Sequence, residues 1–260
     1  MSAAPSGSAP AAASVAMSRA VGTLPGGALG VALDDVLTEL GAGRAGADMP
    51  SVLDCGGGSG SLAVPIAARG AMVTVVDSSI DALAILGRRA GEAGVAGRVR
   101  AVQADVENLA ELVANASVDL VLLHGVVTSA ADGTQVFAAA AAAVRPGGYL
   151  SVVVANPAAG VLSRALSGDL DAALGELSAD GPALDLPWLT HLAEAEGMTV
   201  VVAQGLAAFS STVPGSVVSA AHRADDVLAA LDRLAATRSP YRDIAGQLHL
   251  VARRPGDAAR

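Results

Sequence analysis

The stretch Ser51-Val-Leu-Asp-Cys-Gly-Gly-Gly-Ser-Gly60 decides the fold. A short apolar run ends in an acid, and glycines at 56, 57, 58 and 60 follow before a helical pattern opens at Ser61. Val52 and Leu53 read as the end of a buried strand, with Asp54 at its carboxyl edge. Glycines in that place let the backbone take positive φ and let a ligand lie against the main chain without Cβ collisions. The helix behind them offers free N–H groups and a partial positive charge to an anion.

Two cofactor classes use such a loop. Dinucleotide enzymes place the first glycine directly after the strand, because a pyrophosphate sits on the helix N-terminus. Here Asp54 precedes the glycines, which repels a pyrophosphate and suits an ammonium such as the methionine end of S-adenosylmethionine. Gly58-x-Gly60-x-x-Ala63 still fits the dinucleotide pattern, so an NAD(P)-dependent oxidoreductase stays as the rival. The chain has no lysine to complete a Tyr-x-x-x-Lys pair, and Asp54 tips the reading to the methyl donor.

Working outward, 28–40 has the apolar spacing of a helix, stopped by Gly41-Ala-Gly43. The helix after the glycines is expected over 61–69, with Pro65 kinking it and Gly70 just past its end. Met72-Val-Thr-Val-Val-Asp77 is the second strand, its terminal acid about 20 residues past the glycines, where an Asp accepts ribose hydroxyls. Ser78 is expected to cap the next helix, with Asp81 at the third position of a capping box. The third strand, 98–104, closes on Asp105-Val106, an acid and an amide suited to adenine. Val118-Asp-Leu-Val-Leu-Leu-His124 is the fourth, apolar enough to be covered on both faces. A helix over 134–144, a Pro146-Gly-Gly148 turn and a strand over 149–155 follow.

Strand–helix alternation of this kind predicts a parallel sheet with right-handed crossovers. Its ligand lies over the carboxyl ends of the strands, where Asp54, Asp77, Asp105 and His124 all fall. The region 156–186 reads as helical pieces inserted over the crevice. Helices over 189–196 and 225–237 alternate with strands over 198–203 and 247–252, which suggest an antiparallel hairpin on the sheet's edge. The fold class is thus α/β, Rossmann-like, with seven mostly parallel strands, an antiparallel last strand and helices on both faces. Residues 1–17 read as an Ala/Ser/Pro-rich disordered tail, and 18–260 as one domain.

Composition limits the functions available. Of 260 residues 52% are hydrophobic but only 2% aromatic, so the core is built from Ala, Val and Leu. The net charge of −9 provides no global basic field for nucleic acid, although a local Arg cluster stays open. A single cysteine, Cys55, allows no internal disulfide and fits a cytoplasmic setting. No apolar run reaches the ~18 residues of a membrane span. No metal site and no obligate protein partner are expected.

The Asp-x-Gly-Gly-Gly-x-Gly loop, Asp77, Asp105-Val106 and Pro146-Gly-Gly148 resemble the class I S-adenosylmethionine-dependent methyltransferases. More narrowly, Leu123-His124, Leu150-Ser151 followed by Asn156, Pro240-Tyr241 and Leu248-His249 resemble the bacterial tRNA 5-carboxymethoxyuridine methyltransferase family. The class resemblance implies that Asp54 and the backbone of Gly56, Gly57, Gly58 and Gly60 hold the methionine end of the donor. It assigns the ribose to Asp77 with Ser78 beside it, and the adenine to Asp105 and Val106. It puts His124 near the sulfonium and the acceptor, and a histidine merely satisfied at the core edge is an equal reading. Asn156, Arg164, Tyr241 and Arg242 stand as substrate-side candidates.

The subfamily's usual Arg after strand six is replaced by Ala207, and the Leu-Arg and tryptophan usual in its N-terminal helix are absent. The acceptor is therefore either a carboxylate on a modified tRNA wobble uridine or a small molecule. A module that binds the donor without catalysis is a further alternative. A carboxylate acceptor, ionised at pH 7, needs no general base.

Overall fold

The computed structural model describes residues 24–42, 49–179, 184–213 and 224–256; the tail expected over 1–17 lies outside them. Strand β1 (Ser51–Cys55) pairs in parallel with β2 (Met72–Asp77) and with β4 (Val118–His124). β3 (Val99–Gln103) extends the parallel sheet beyond β2, and β5 (Val144–Ala155) extends it beyond β4. β6 (Thr199–Leu206) and β7 (Gln247–Arg253) complete the order β3-β2-β1-β4-β5-β7-β6, in which β7 alone runs antiparallel to its neighbours.

Alternation along each strand sorts the core into two layers. Val52, Val73, Val75, Leu120 and Leu122 face α1 (Ala28–Gly41), α2 (Ala63–Ala68) and α3 (Ile80–Glu92) through Leu33, Leu37, Ile66 and Leu86. Leu53, Cys55, Val121, Leu123 and Val152 face the other way. There they meet Phe137 and Ala140 of α5 (Gly133–Ala143) and Leu189 and Ala193 of α8 (Leu186–Ala195). Between these lie the short α4 (Leu109–Leu112) and the pair α6 (Pro157–Leu166) and α7 (Leu170–Leu177); α9 (Ala224–Ala235) precedes β7. No helix among the described residues is long and apolar enough to cross a membrane.

Two local expectations are corrected. Pro65 falls in the first turn of α2, where its missing N–H costs no intrahelical bond, so it starts the helix instead of kinking it. The cap of α3 is Ser79, one residue later than expected, its hydroxyl accepting from Ala82 N at 3.2 Å. The expected antiparallel pair does stand on the sheet's edge, with β6 outermost and β7 joining it to β5.

The Pro146-Gly-Gly148 turn lies inside β5 as an irregularity. Val118 pairs with Val144 and Leu120 with Tyr149, so residues 145–148 loop out opposite Asp119. Gly148 is needed there, since a Cβ would come within 2.7 Å of Asp119 O. Arg145 reaches from the loop to Asp119, whose other carboxylate oxygen accepts from Ser51 N and Ser51 Oγ at 2.8 Å each. Built on the buried Asp119, this triad pins the start of β1, the strand that carries the glycine loop.

Candidate cofactor and acceptor site

The site grows out of the β1 turn. Asp54 projects beneath the glycine loop and is only 3% exposed, and its Oδ2 has no hydrogen-bond partner among the described residues. Gly57 lies directly over that carboxyl group: a Cβ there would overlap Oδ2 and come within 2.9 Å of Val75 Cγ1. Gly56 and Gly58 take positive φ of 69° and 52°, conformations that a side chain resists. Gly60, at φ 78°, turns the chain against Leu86. Arg89 of α3 steadies the loop by donating to Ser59 O at 3.1 Å.

Asp77 at the tip of β2 is tied to the same loop. Its Oδ2 accepts from Gly58 N at 2.9 Å and its Oδ1 from Ser79 N at 2.8 Å. Each oxygen keeps a further lone pair, the capacity that two adjacent hydroxyls require. Asp105 caps the turn after β3, accepting from Glu107 N at 3.0 Å. A cavity of about 220 Å³ is lined by Gly56, Asp77, Ser78, Asp105, Val106 and His124, together with 125, 126 and 129. Six of the sequence-predicted residues therefore share one hollow, while Asp54, Gly57, Gly58 and Gly60 are not among the residues that line it.

Electrostatics mark the same place. Burial, reinforced by the charge of Asp77, pushes the Asp54 carboxyl up to about 7. The neighbouring Cys55 thiol is also pushed up, by burial and then by Asp54, which makes it an unreactive core residue. A buried carboxylate without a partner is costly unless a cation or donors meet it. The residues fit S-adenosylmethionine on that count: an orphaned acid under a main chain free of side chains, with carboxylates at the next two strand tips.

His124 also lines the cavity, and its Nε2 lies 2.9 Å from Ser151 Oγ. That hydroxyl is 3.0 Å from His249 Nε2, and His249 Nδ1 is 2.9 Å from Gln204 Nε2. Burial pushes His124 down to about 4 and His249 down to about 3, the latter lowered further by proximity to His124. Gln204 escaped the sequence reading. Its signal was a polar side chain inside the apolar strand β6, in register with His249.

The substrate-side candidates separate. Asn156 and Arg242 line a second cavity of about 520 Å³ with Pro157, Leu186, Pro187 and Leu248, at the end of β5 next to His124's strand. Asn156 is buried and committed: its Nδ2 donates to Asp243 O at 3.0 Å and Ala245 O at 2.8 Å, and its Oδ1 caps α6 through Ala158 N. Arg242 pairs with Asp243 at 2.8 Å, and Arg164 with Glu176 at 2.6 Å on the α6–α7 pair. Tyr241 packs on Phe209 with ring centroids 5.7 Å apart. A hollow of about 560 Å³ between α1, β6 and α9 is larger than either cavity, but no residue of the glycine loop lines it.

Fold and site together define a class, and comparison with known proteins agrees. Residues 52–148 match the family model for the methyltransferase domain, in keeping with the class I S-adenosylmethionine-dependent methyltransferases that the sequence resembles. It is similar to the tRNA 5-carboxymethoxyuridine methyltransferase of Escherichia coli, 30% identical over 139 residues that make up 54% of this chain and 51% of that protein. It is also similar to a ubiquinone biosynthesis O-methyltransferase of Rhizobium leguminosarum, 40% identical over 105 residues, 40% of each chain. The chain thus spans about half the length of the curated relatives it matches, or less. Among solved structures, geranyl diphosphate C-methyltransferase from Streptomyces coelicolor, in complex with S-adenosyl-L-homocysteine, superposes with a TM-score of 0.55 at 19% identity. That match covers 87% of this chain and 76% of the other, and at this identity it speaks for the fold.

Proposed function

We propose that this chain transfers a methyl group from S-adenosylmethionine to an ionised oxygen of a small, largely apolar acceptor, in the cytoplasm. The donor supplies a methyl carbon made electrophilic by its sulfonium. The observation that carries the reading is the orphaned Asp54 carboxylate beneath the bare Gly56–Gly58 main chain. Asp77 and Asp105 align the adenosine, and His124 borders the place where donor and acceptor meet. Alignment at near-attack distance can supply ~7–11 kcal/mol of the barrier, so the residues act chiefly by positioning and by excluding water.

Three observations favour a small acceptor. The second cavity opens one strand along the same carboxyl edge and has mostly apolar walls. Both ends of the 156–186 segment line it, which supports that segment as the crevice cover. Leu166, Leu170 and Leu174 stand exposed on that cover, and its Arg164 is already paired, an unpromising surface for a phosphate backbone.

The second reading, a carboxylate on a tRNA wobble uridine, is favoured by the 30% match to the E. coli enzyme. Incubation with radiolabelled donor and separate RNA and metabolite fractions decides between them. Label in the metabolites supports the first reading and label in RNA the second. Donor binding without product in either would leave a non-catalytic binding module.

A further inference from the structure

We infer that Gln204, His249 and Ser151 are positioning residues that lock His124 in the tautomer carrying its proton on Nδ1, so that the ring offers the crevice a hydrogen-bond donor instead of a base. The acceptor side of this inference rests on the methyl-transfer reading; the tautomer does not.

The side chains form a row. His124 on β4 is in register with Val153 on β5, Val153 with His249 on β7, and His249 with Gln204 on β6. Ser151, two residues before Val153, projects from the same face. The row ends at α1, where Gln204 Nε2 donates to Ala28 O at 3.1 Å. Ser151 and His249 are fully buried and Gln204 is 6% exposed, so no water can substitute freely for a missing partner.

Each link fixes the next. The Ala28 carbonyl only accepts, so the Gln204 amide must turn its NH2 toward it, because the flipped amide would set oxygen against oxygen. That same NH2 faces His249 Nδ1, which must therefore be the bare nitrogen. The His249 proton then sits on Nε2 and is donated to Ser151 Oγ. The Ser151 hydroxyl has contacts to the two imidazoles alone among the described residues, so its own proton goes to His124 Nε2. Nε2 of His124 is thereby an acceptor, and in a neutral imidazole the proton is left on Nδ1. No described residue engages that Nδ1, and the ring lines the donor cavity. A second proton on His249 would set N–H against N–H, in keeping with the depressed basicity of both rings.

An acceptor beside this ring meets a group that can hold an oxygen lone pair but cannot take up a proton at that face. The lock thus selects for an acceptor that is already ionised, such as a carboxylate, over an alcohol that must be deprotonated.

The test is long-range 15N–1H correlation of the imidazoles in the full chain without substrate, near neutral pH, with His124 assigned by its disappearance in His124→Gln. The expected spectrum has His124 protonated on Nδ1 and His249 on Nε2, each as a single tautomer. Ser151→Ala is expected to leave His249 unchanged while His124 drifts to an averaged tautomer, and Gln204→Leu to average both. A wild-type His124 protonated on Nε2 overturns the inference, whether or not either variant folds. So does a His124 signal that neither folded variant moves. Because the tautomer is read without turnover, its failure and the failure of methyl transfer are separate results.

Discussion

Gly57 sits so close above Asp54 that a single added carbon would occupy the space of the carboxylate oxygen. The two positions are one device. The glycine is missing a side chain because the acid needs the room, and the acid is buried because the glycine lets it turn under the loop.

Gly57→Ala is accordingly expected to cost about 1–3 kcal/mol, the usual penalty for overpacking a well-filled site. Asp54→Ala in the same chain removes the obstructing group, so the double variant should recover stability without recovering donor binding. Chemical denaturation of the four proteins of this cycle measures the coupling, and simple additivity would refute it.

Donor binding should depend on pH through Asp54. Its carboxyl stands at about 7 in the folded protein against an ordinary 3.8. The stability linked to this raised value is full below 3.8 and is lost as pH rises through 7. A donor ammonium needs the ionised form, so binding releases a proton and affinity falls about tenfold per pH unit below 7. Calorimetry with S-adenosylhomocysteine checks this, and Asp54→Asn should bind weakly with a flat profile.

Asp77→Ala removes the acceptor for both Gly58 N and Ser79 N. Hydrogen bonds to a charged group contribute about 1.5–3 kcal/mol each, so the loop and the ribose contact together predict a loss of donor affinity of at least tenfold. Unchanged affinity for S-adenosylhomocysteine would show that this strand tip is not part of the site.

His249 gives the fold an acid-labile spot. The unfolded chain takes up its imidazole proton near 6.5, the folded chain only near 3. Between those values the unfolded state holds more protons, so stability drops as pH falls, by up to about 1.4 kcal/mol per pH unit. Asp54 acts in the opposite sense over part of this window, so the comparison is with His249→Phe, whose denaturation midpoints should fall less steeply with acid.

Most of the sheet could be read from the chain because its strands are short apolar runs ending in a chemical landmark. Met72–Asp77 and Val118–His124 have the predicted bounds, since an acid or a histidine closes each run. The first helix turn was harder: Ser78 and Ser79 are both competent caps, and only the Asp77 bond to Ser79 N decides which one is used. The antiparallel edge pair was legible too, but not its internal order, because which of β6 and β7 joins β5 is set by long-range pairing. Gln204 was invisible as a functional residue, for its meaning depends on His249 across a strand pairing that no local pattern encodes.

The place of β7 between β5 and β6 makes it the keystone of this side of the sheet. Among the described residues β6 pairs with no strand but β7, so β7 alone bridges it to the parallel part of the sheet. The relay behind His124 shares that dependence, since His249 on the same strand is the link between Gln204 and Ser151.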